Sequence, residues 1–399
     1  MGSSSQSDLN ATETASAIPT FALWEMGFRP FYLLASLFAA MSIPLWVAQY
    51  AGYLPAPYLP GPLWHGYEML FGYTTAVIAG FLLTAVRTWS GYPTPTRLPL
   101  AGLVLLWLAG RISIFMPYPA AAMIINASFP LAVAIAIAIP LTKAISRRNY
   151  FAVVLLIFMA GASILFQLTA IGTVDWREII SLQFGLDLVL LIVVVIAGRV
   201  VPMFTNNGIP GTKATRNAYV EKIALAGVIF LLVADILQPA PQFIALVAGA
   251  TAAVHAVRLF LWQPWRTLRT PLVWILHAAY AWVIGYLMLR GLVSNGLVPT
   301  SVAIHALTIG AIGSITIGMM ARTSLGHTGH PLQTGMMEMV CFLLMQCAVM
   351  VRLAGGIFSG EWYVVSIVCA GACWSGAFVL FLARYWAILI YPRIDGKTG

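Results

Sequence analysis

The chain has 399 residues, of which 61% are hydrophobic and 8% charged, and its mean hydropathy is +0.90. A soluble domain carries roughly 25% charged residues, so a soluble fold is excluded and the sequence describes an all-α, polytopic integral membrane protein. A net charge of +9 does not imply nucleic acid, because the basic residues fall singly or in small groups between apolar runs and form no single patch.

Residues 1–27 begin as a polar, Ser/Thr/Ala-rich tail. They lack a basic stretch followed by an apolar core and a cleavage site, so no signal peptide is expected. Twelve apolar runs follow, each near the ~20 residues a helix needs to cross a bilayer. None alternates strictly over ~10 residues as a barrel strand does. The runs cover approximately 28–50, 64–86, 98–116, 120–141, 150–172, 178–199, 219–237, 241–262, 271–290, 298–321, 334–353 and 361–390. Residues 28–391 thus form one membrane domain, with 392–399 as a second short tail. There is no convincing internal repeat. Cys341, Cys347, Cys369 and Cys373 lie in the last two spans without CxxC spacing, so they read as small core residues.

The lysines and arginines set the expected orientation. With the N-terminus inside, inner segments hold seventeen of the 21 basic residues. Only Arg111, Arg177, Arg290 and Arg352 fall outside. Such a bias places both termini in the cytoplasm.

That topology sorts the histidines by depth. His65 and Glu68 open span 2 near the outer face, and His305 lies about two turns into span 10 from the same side. His255, His277, His327 and His330 belong to the inner half. An imidazole in hydrocarbon is costly and is a functional-site hypothesis by default. In WHGYEMLFGY (64–73), His65 and Glu68 are three residues apart and share a helix face. They can ligate one metal, or Glu68 can orient the ring or relay protons. A hydrogen-bonded pair closing the helix end is the plainer reading.

In HALTIGAIGSITIGMMARTSLGHTGH (305–330), Gly310, Gly313 and Gly318 leave a small-residue surface that admits another helix or a flat porphyrin. His305 lies above it in a position suited to ligation. The end, SLGHTGH, turns at its glycines and offers His327 and His330 as a loop pair. His277 is the one strongly polar group in PLVWILHAAYAWV and needs a partner, either a metal or a core hydrogen bond. His255, three residues before Arg258, is more ordinary. Arg29, Arg199 and Arg322 sit at the inner boundary, where arginine can hold a haem propionate or anchor the chain. Asp187 and Glu338 are mid-membrane acids suited to a proton path or to pairing with buried arginines.

The blocks GFRPFYLLASLFAA, LWHGYEMLFGYTTAVIAGFLLTAV, AGRVVPMFTNNGIP, LVWILHAAYAWV and HALTIGAIGSITIGMMARTSLGHTGHPL occur in order and closely resemble the NnrS family, from about residue 21 to the last span. The resemblance implies a bacterial inner-membrane protein carrying haem and copper and associated with nitric oxide metabolism and nitrosative stress. His65, Glu68, His277, His305, His327, Arg29, Arg199 and Arg322 match positions in the family's motif blocks, whereas His330 does not. A weaker similarity connects the twelve spans, with histidines in spans 2 and 10, to the haem–copper oxidases and nitric oxide reductases. The chain departs from that pattern. It lacks an adjacent His pair in span 7, a His-x-His in span 10 and any histidine in span 6.

These readings yield two expectations. One is an oxidoreductase acting on nitric oxide. It would hold a haem b between His65 and His305 and a second haem or copper at His277 and His327, and take electrons from a quinol or a separate carrier. The other is a sensor, carrier or transporter that binds haem and copper without turnover.

Overall fold

The structure is a computed structural model. It describes residues 21–54, 58–59, 61–175, 178–358 and 360–397, with the side chains of 178 and 179 left aside. Among these residues there are twelve long helices. We number them α1 Phe28–Tyr50, α2 Gly61–Ser90, α3 Arg97–Ser113, α4 Pro119–Lys143, α5 Tyr150–Ala170 and α6 Glu178–Gly208. The second half holds α7 Ala218–Leu237, α8 Pro241–Leu261, α9 Pro271–Ser294, α10 Thr300–His327, α11 Met336–Ile357 and α12 Trp362–Ile390. Ten are long and apolar enough to cross a membrane by length and composition, α3 and α7 being the others. The protein is a polytopic membrane protein.

The helix starts follow from local chemistry. Pro119, Pro241 and Pro271 open α4, α8 and α9, where the missing N–H would have no helical partner in any case. Asn217 caps α7 by accepting from the backbone N–H of Tyr219 at 2.9 Å and of Val220 at 3.2 Å, as a side-chain amide oxygen does at this position. α6 runs past the expected end at 199 to Gly208, with Pro202 inside it. The apolar run resumes after Arg199, and that guanidinium lies over the Phe151 ring, 4.9 Å from its centroid, without breaking the helix. α10 likewise continues through Gly326 to His327. The turn comes at Gly329, whose φ of +79° suits glycine. His327 therefore ends a helix and does not lie in a loop.

The helices differ in depth. In their most apolar stretches, 83% of α2 and 78% of α10 is buried against 28% of α8. The two helices that carry His65 and His305 are thus central, and α8 is peripheral. Tight contacts place them. A Cβ at Gly310 would lie 2.6 Å from the Trp282 ring, one at Gly313 2.7 Å from Trp374, and one at Gly318 2.7 Å from Ile275. The glycine surface of α10 is therefore filled by side chains of α9 and α12.

The terminal segments are tied to this body. Ala22 N–H donates to Ile390 O at 2.8 Å, and Ile394 N–H to Thr328 O at 3.1 Å. Residues 1–20, most of the expected tail, lie outside the described residues. Of the cysteines only Cys341 is buried; Cys347 and Cys369 are exposed on the helix surface. The expectation that all four are core residues is corrected for Cys347 and Cys369, which follow the period of α11 and α12 outward to where lipid would be, while Cys373 is half-buried.

Candidate functional site

α2 and α10 share an uncommon backbone. His65 is the fifth residue of α2 and His305 the sixth of α10. Shortly after each, the α-helix widens into a π-helical segment, Glu68–Thr74 in α2 and Ala306–Gly313 in α10. π turns are rare and concentrate at functional sites. In α2 the widened turn is held by side chains. Thr74 Oγ1 donates to Met69 O at 2.8 Å, Thr75 Oγ1 to Leu70 O at 3.2 Å, and Trp107 Nε1 to Gly72 O at 3.0 Å.

The two segments face a common cavity of about 310 Å³, within the size range of small-molecule sites. Its walls include His65, His305, Trp46, Tyr73, Ile312 and Trp374. His305 Nδ1 lies 2.6 Å from Ser301 O. A carbonyl can only accept, so Nδ1 carries the proton and Nε2 keeps its lone pair. The ring of His65 stacks on Trp46 with centroids 4.5 Å apart, and its Nδ1 is buried with no hydrogen-bond partner. At the far end, Tyr73 Oη meets Thr316 Oγ1 at 2.6 Å. No carboxylate is among the described residues on the wall, and the one fixed charge there is Arg352. This side chain is 6% exposed, donates to Tyr363 Oη at 3.2 Å and lies over the Tyr363 ring at 5.1 Å.

The structure thus brings His65 and His305 together. Glu68 is not on the cavity wall. It forms an ion pair with Arg111 of α3, which also bonds Asn126 of α4. Gly72 makes room for that pair, since a Cβ there would come 2.6 Å from Glu68 Oε2.

The other candidate residues have separate partners. Thr205 Oγ1 donates to Val201 O at 2.8 Å and so accepts from His277 Nε2, also at 2.8 Å. His277 Nδ1 is left as a buried acceptor with no partner. The His327 ring lies 5.7 Å from that of Phe28, and Arg393 donates to its backbone carbonyl at 2.8 Å. His330, beyond the last turn of α10, accepts or donates at Thr328 Oγ1 and is held below its ordinary pKa by burial and by Arg384. Arg29 donates to the carbonyls of Leu389 and Tyr391 at 3.0 and 2.7 Å, closing the end of α12. Arg199 bonds Asn149 Oδ1 at 2.7 Å, and Arg322 lies over the Phe204 ring at 4.0 Å. None of the three arginines lines the cavity.

Other buried polar groups satisfy one another. Arg258 donates to Tyr280 Oη at 2.6 Å, so that hydroxyl must give its hydrogen to His255 Nδ1, also at 2.6 Å. His255 Nε2–H then reaches Ala224 O at 3.3 Å. His255 is a satisfied core histidine. Asp187 and Asp235 share Arg290, and Glu338 pairs with Arg384 at 2.9 Å.

The geometry invites comparison with known proteins, and the sequence profile of the NnrS protein family matches residues 22–393. The chain belongs to the NnrS family. The match takes in every described helix apart from short ends of the chain. No curated protein shows a significant match. Three features of this NnrS-family site were missed by sequence reasoning. These are the two π segments, the Trp46 stack and Arg352, which counted only as a loop charge. Its place at the end of α11, level with the starts of α2 and α10, was the available signal.

Proposed function

We propose that this NnrS-family protein holds a haem b between His65 and His305 and acts there on nitric oxide. One observation carries the reading: two histidines from different central helices, each just before a π segment, line a single, otherwise largely apolar cavity. The residues fit the group. His65 has a buried ring nitrogen with no partner, and His305 has its Nε2 lone pair left free by the Ser301 bond.

When bound, haem would supply an iron that could take nitric oxide where one of the two histidines leaves it free, and exchange electrons with it. The chain's own residues do the rest. Ser301 fixes the His305 tautomer, and Trp46 fixes the plane of the His65 ring. The apolar wall excludes water while admitting a small uncharged gas from the lipid. Glu68 is a positioning residue in this scheme, because its ion pair with Arg111 anchors the first turn of the π segment after His65. The unpartnered Nδ1 of His277 is a candidate for a second metal or haem, but no contact joins it to His327, whose ring packs on Phe28 instead.

Copper fits less well. Its protein sites are typically built from three or so nitrogen and sulfur ligands of fixed geometry, such as His₂Cys, and the described residues contain no group of three or more His, Cys, Asp or Glu side chains able to hold a metal. The positive-inside bias places both termini in the cytoplasm. The structure adds support, because Arg111, Arg290 and Arg352 are buried rather than at the outer surface.

A second reading, a haem-bound sensor or carrier without turnover, is favoured by one observation. Joining two nitric oxide molecules as nitrous oxide and water consumes two electrons and two protons, yet no carboxylate is on the cavity wall among the described residues. The test is to purify the protein from haem-replete cells, record the reduced-minus-oxidised spectrum, and follow nitric oxide anaerobically with a quinol present. Catalytic loss establishes the oxidoreductase. One stoichiometric nitrosyl without turnover establishes the sensor or carrier. Folded protein lacking any haem band overturns both.

A further inference from the structure

Arg352 is the last strongly polar residue before the end of α11, and it faces the cavity that holds His65 and His305. A guanidinium cannot shed its proton under ordinary conditions. Burying it without an anion costs several kcal/mol, so buried arginines are normally paired with carboxylates. The other well-buried arginines at this end of the bundle obey the rule: Arg111 has Glu68, and Arg290 has Asp187 and Asp235. Arg352 does not. Its partners among the described residues are the hydroxyl and ring face of Tyr363. One neutral hydroxyl leaves most of its five donors to be met from the cavity side.

The cavity has direction. Pro62, Ser301 and Tyr363 belong to the first turns of α2, α10 and α12, and Arg352 lies within two turns of the end of α11, so they mark one end. Tyr73, Ile312 and Trp374 lie further along the helices and mark the other. The two histidines stand between these ends. A ligand that is apolar over most of its body and carries an acid group at one edge would match this distribution, with the acid at Arg352.

We propose that Arg352, steadied by Tyr363, binds a carboxylate of the cavity's occupant and thereby sets which edge of that occupant faces the outer end of the bundle. The proposal rests on the haem reading, in which the carboxylate is a propionate of the tetrapyrrole. Charge-assisted hydrogen bonds are the strong ones, and a guanidinium presents two parallel donors to a carboxylate. The same chemistry could be met by a free inorganic anion entering the cavity, and the test separates the two.

Protein produced without haem supply is titrated with haemin and with haemin dimethyl ester, which keeps the ring and iron but has no free carboxylate. Binding is read from the Soret band and from quenching of tryptophan fluorescence, since Trp46 and Trp374 line the cavity. The wild type is expected to prefer haemin by on the order of 10- to 100-fold, the worth of hydrogen bonds to a charged group. Arg352→Gln should bring that ratio close to one, with Arg352→Lys between. The wild-type comparison needs no mutation, so a variant that folds poorly does not spoil it.

Equal binding of haemin and its ester by the wild type overturns the proposal. A ratio that survives in Arg352→Gln overturns it too. A Soret band that shifts with chloride or nitrite in the wild type and not in Arg352→Gln, without ester discrimination, assigns the guanidinium to a free anion instead. Failure of every form to bind haemin removes the haem reading itself, which is a different result from haemin binding that ignores Arg352.

Discussion

Tyr73 Oη and Thr316 Oγ1 meet at 2.6 Å beneath the cavity and join the two histidine-bearing helices. Thr316 Oγ1 also lies 2.7 Å from Ile312 O, to which it can donate. Tyr73 must then be the donor in the cross-helix bond. Tyr73→Phe removes that donor and should cost about 1 kcal/mol, the usual net worth of one such bond. In a double-mutant cycle with Thr316→Val the losses should fail to add. Additive losses in thermal unfolding would show that the hydroxyls do not couple the helices.

Gly72 lies inside the first π segment, against Glu68 and Phe38. A Cβ there would be 2.6 Å from Glu68 Oε2 and 3.1 Å from the Phe38 ring. Gly72→Ala should therefore push the carboxylate off Arg111 and cost about 3 kcal/mol or more, as when a buried ion pair is broken. Glu68→Gln, which keeps the shape, should retain any haem bound at His65 while lowering the melting temperature. A Gly72→Ala protein as stable as wild type would contradict the packing.

Arg290 stands between Asp187 and Asp235. Arg290→Leu leaves two buried carboxyl groups without their cation and should destabilise by about 3–5 kcal/mol. Adding Asp187→Asn and Asp235→Asn should recover most of that loss. Thermal scans in detergent of the single and triple variants decide it, and no recovery in the triple variant would mean that packing rather than charge is at stake.

The six histidines should not respond alike. His65→Ala and His305→Ala should each abolish or rearrange a haem spectrum. His255→Ala should leave the spectrum in place and lower stability by about 1–3 kcal/mol, because Tyr280 and Ala224 would lose a buried partner. Absorbance of the purified variants checks this. A haem lost only with His255→Ala would reverse the assignment of roles.

Much of this architecture is legible in the chain, for physical reasons. Apolar runs of membrane length, bounded by charges and by prolines such as Pro119, Pro241 and Pro271, leave little choice about where helices begin. His65 and His305 were legible as lying toward the same side of spans 2 and 10; that they stand nearly level, as the fifth residue of α2 and the sixth of α10, appears only in the structure, where both helices begin away from the expected positions. The partner of Glu68 was not legible, because Arg111 is 43 residues away and a charge near a span end looks like a topology signal. Arg352 was hidden in the same way. The π segments escaped because a helix buried on all sides has no apolar face whose period could reveal a wider turn. Gly310, Gly313 and Gly318 signalled close approach, but a sequence does not say whether a ring of the protein or of a cofactor fills the space. Trp282, Trp374 and Ile275 do.

The π segments of α2 and α10 also act as phase shifters. A π turn contains one residue more than an α turn, so it offsets everything before it around the helix axis by about 100°, the angle of a single residue at 3.6 per turn. The long part of each helix after the π segment is locked in the bundle by contacts such as Tyr73 with Thr316. The short first stretch, which carries the histidine, takes its direction from the offset. His65 and His305 reach one cavity with such an offset following each of them. Relaxing either one by a single residue would swing its imidazole round the axis and off the cavity wall, with the rest of the membrane domain unmoved.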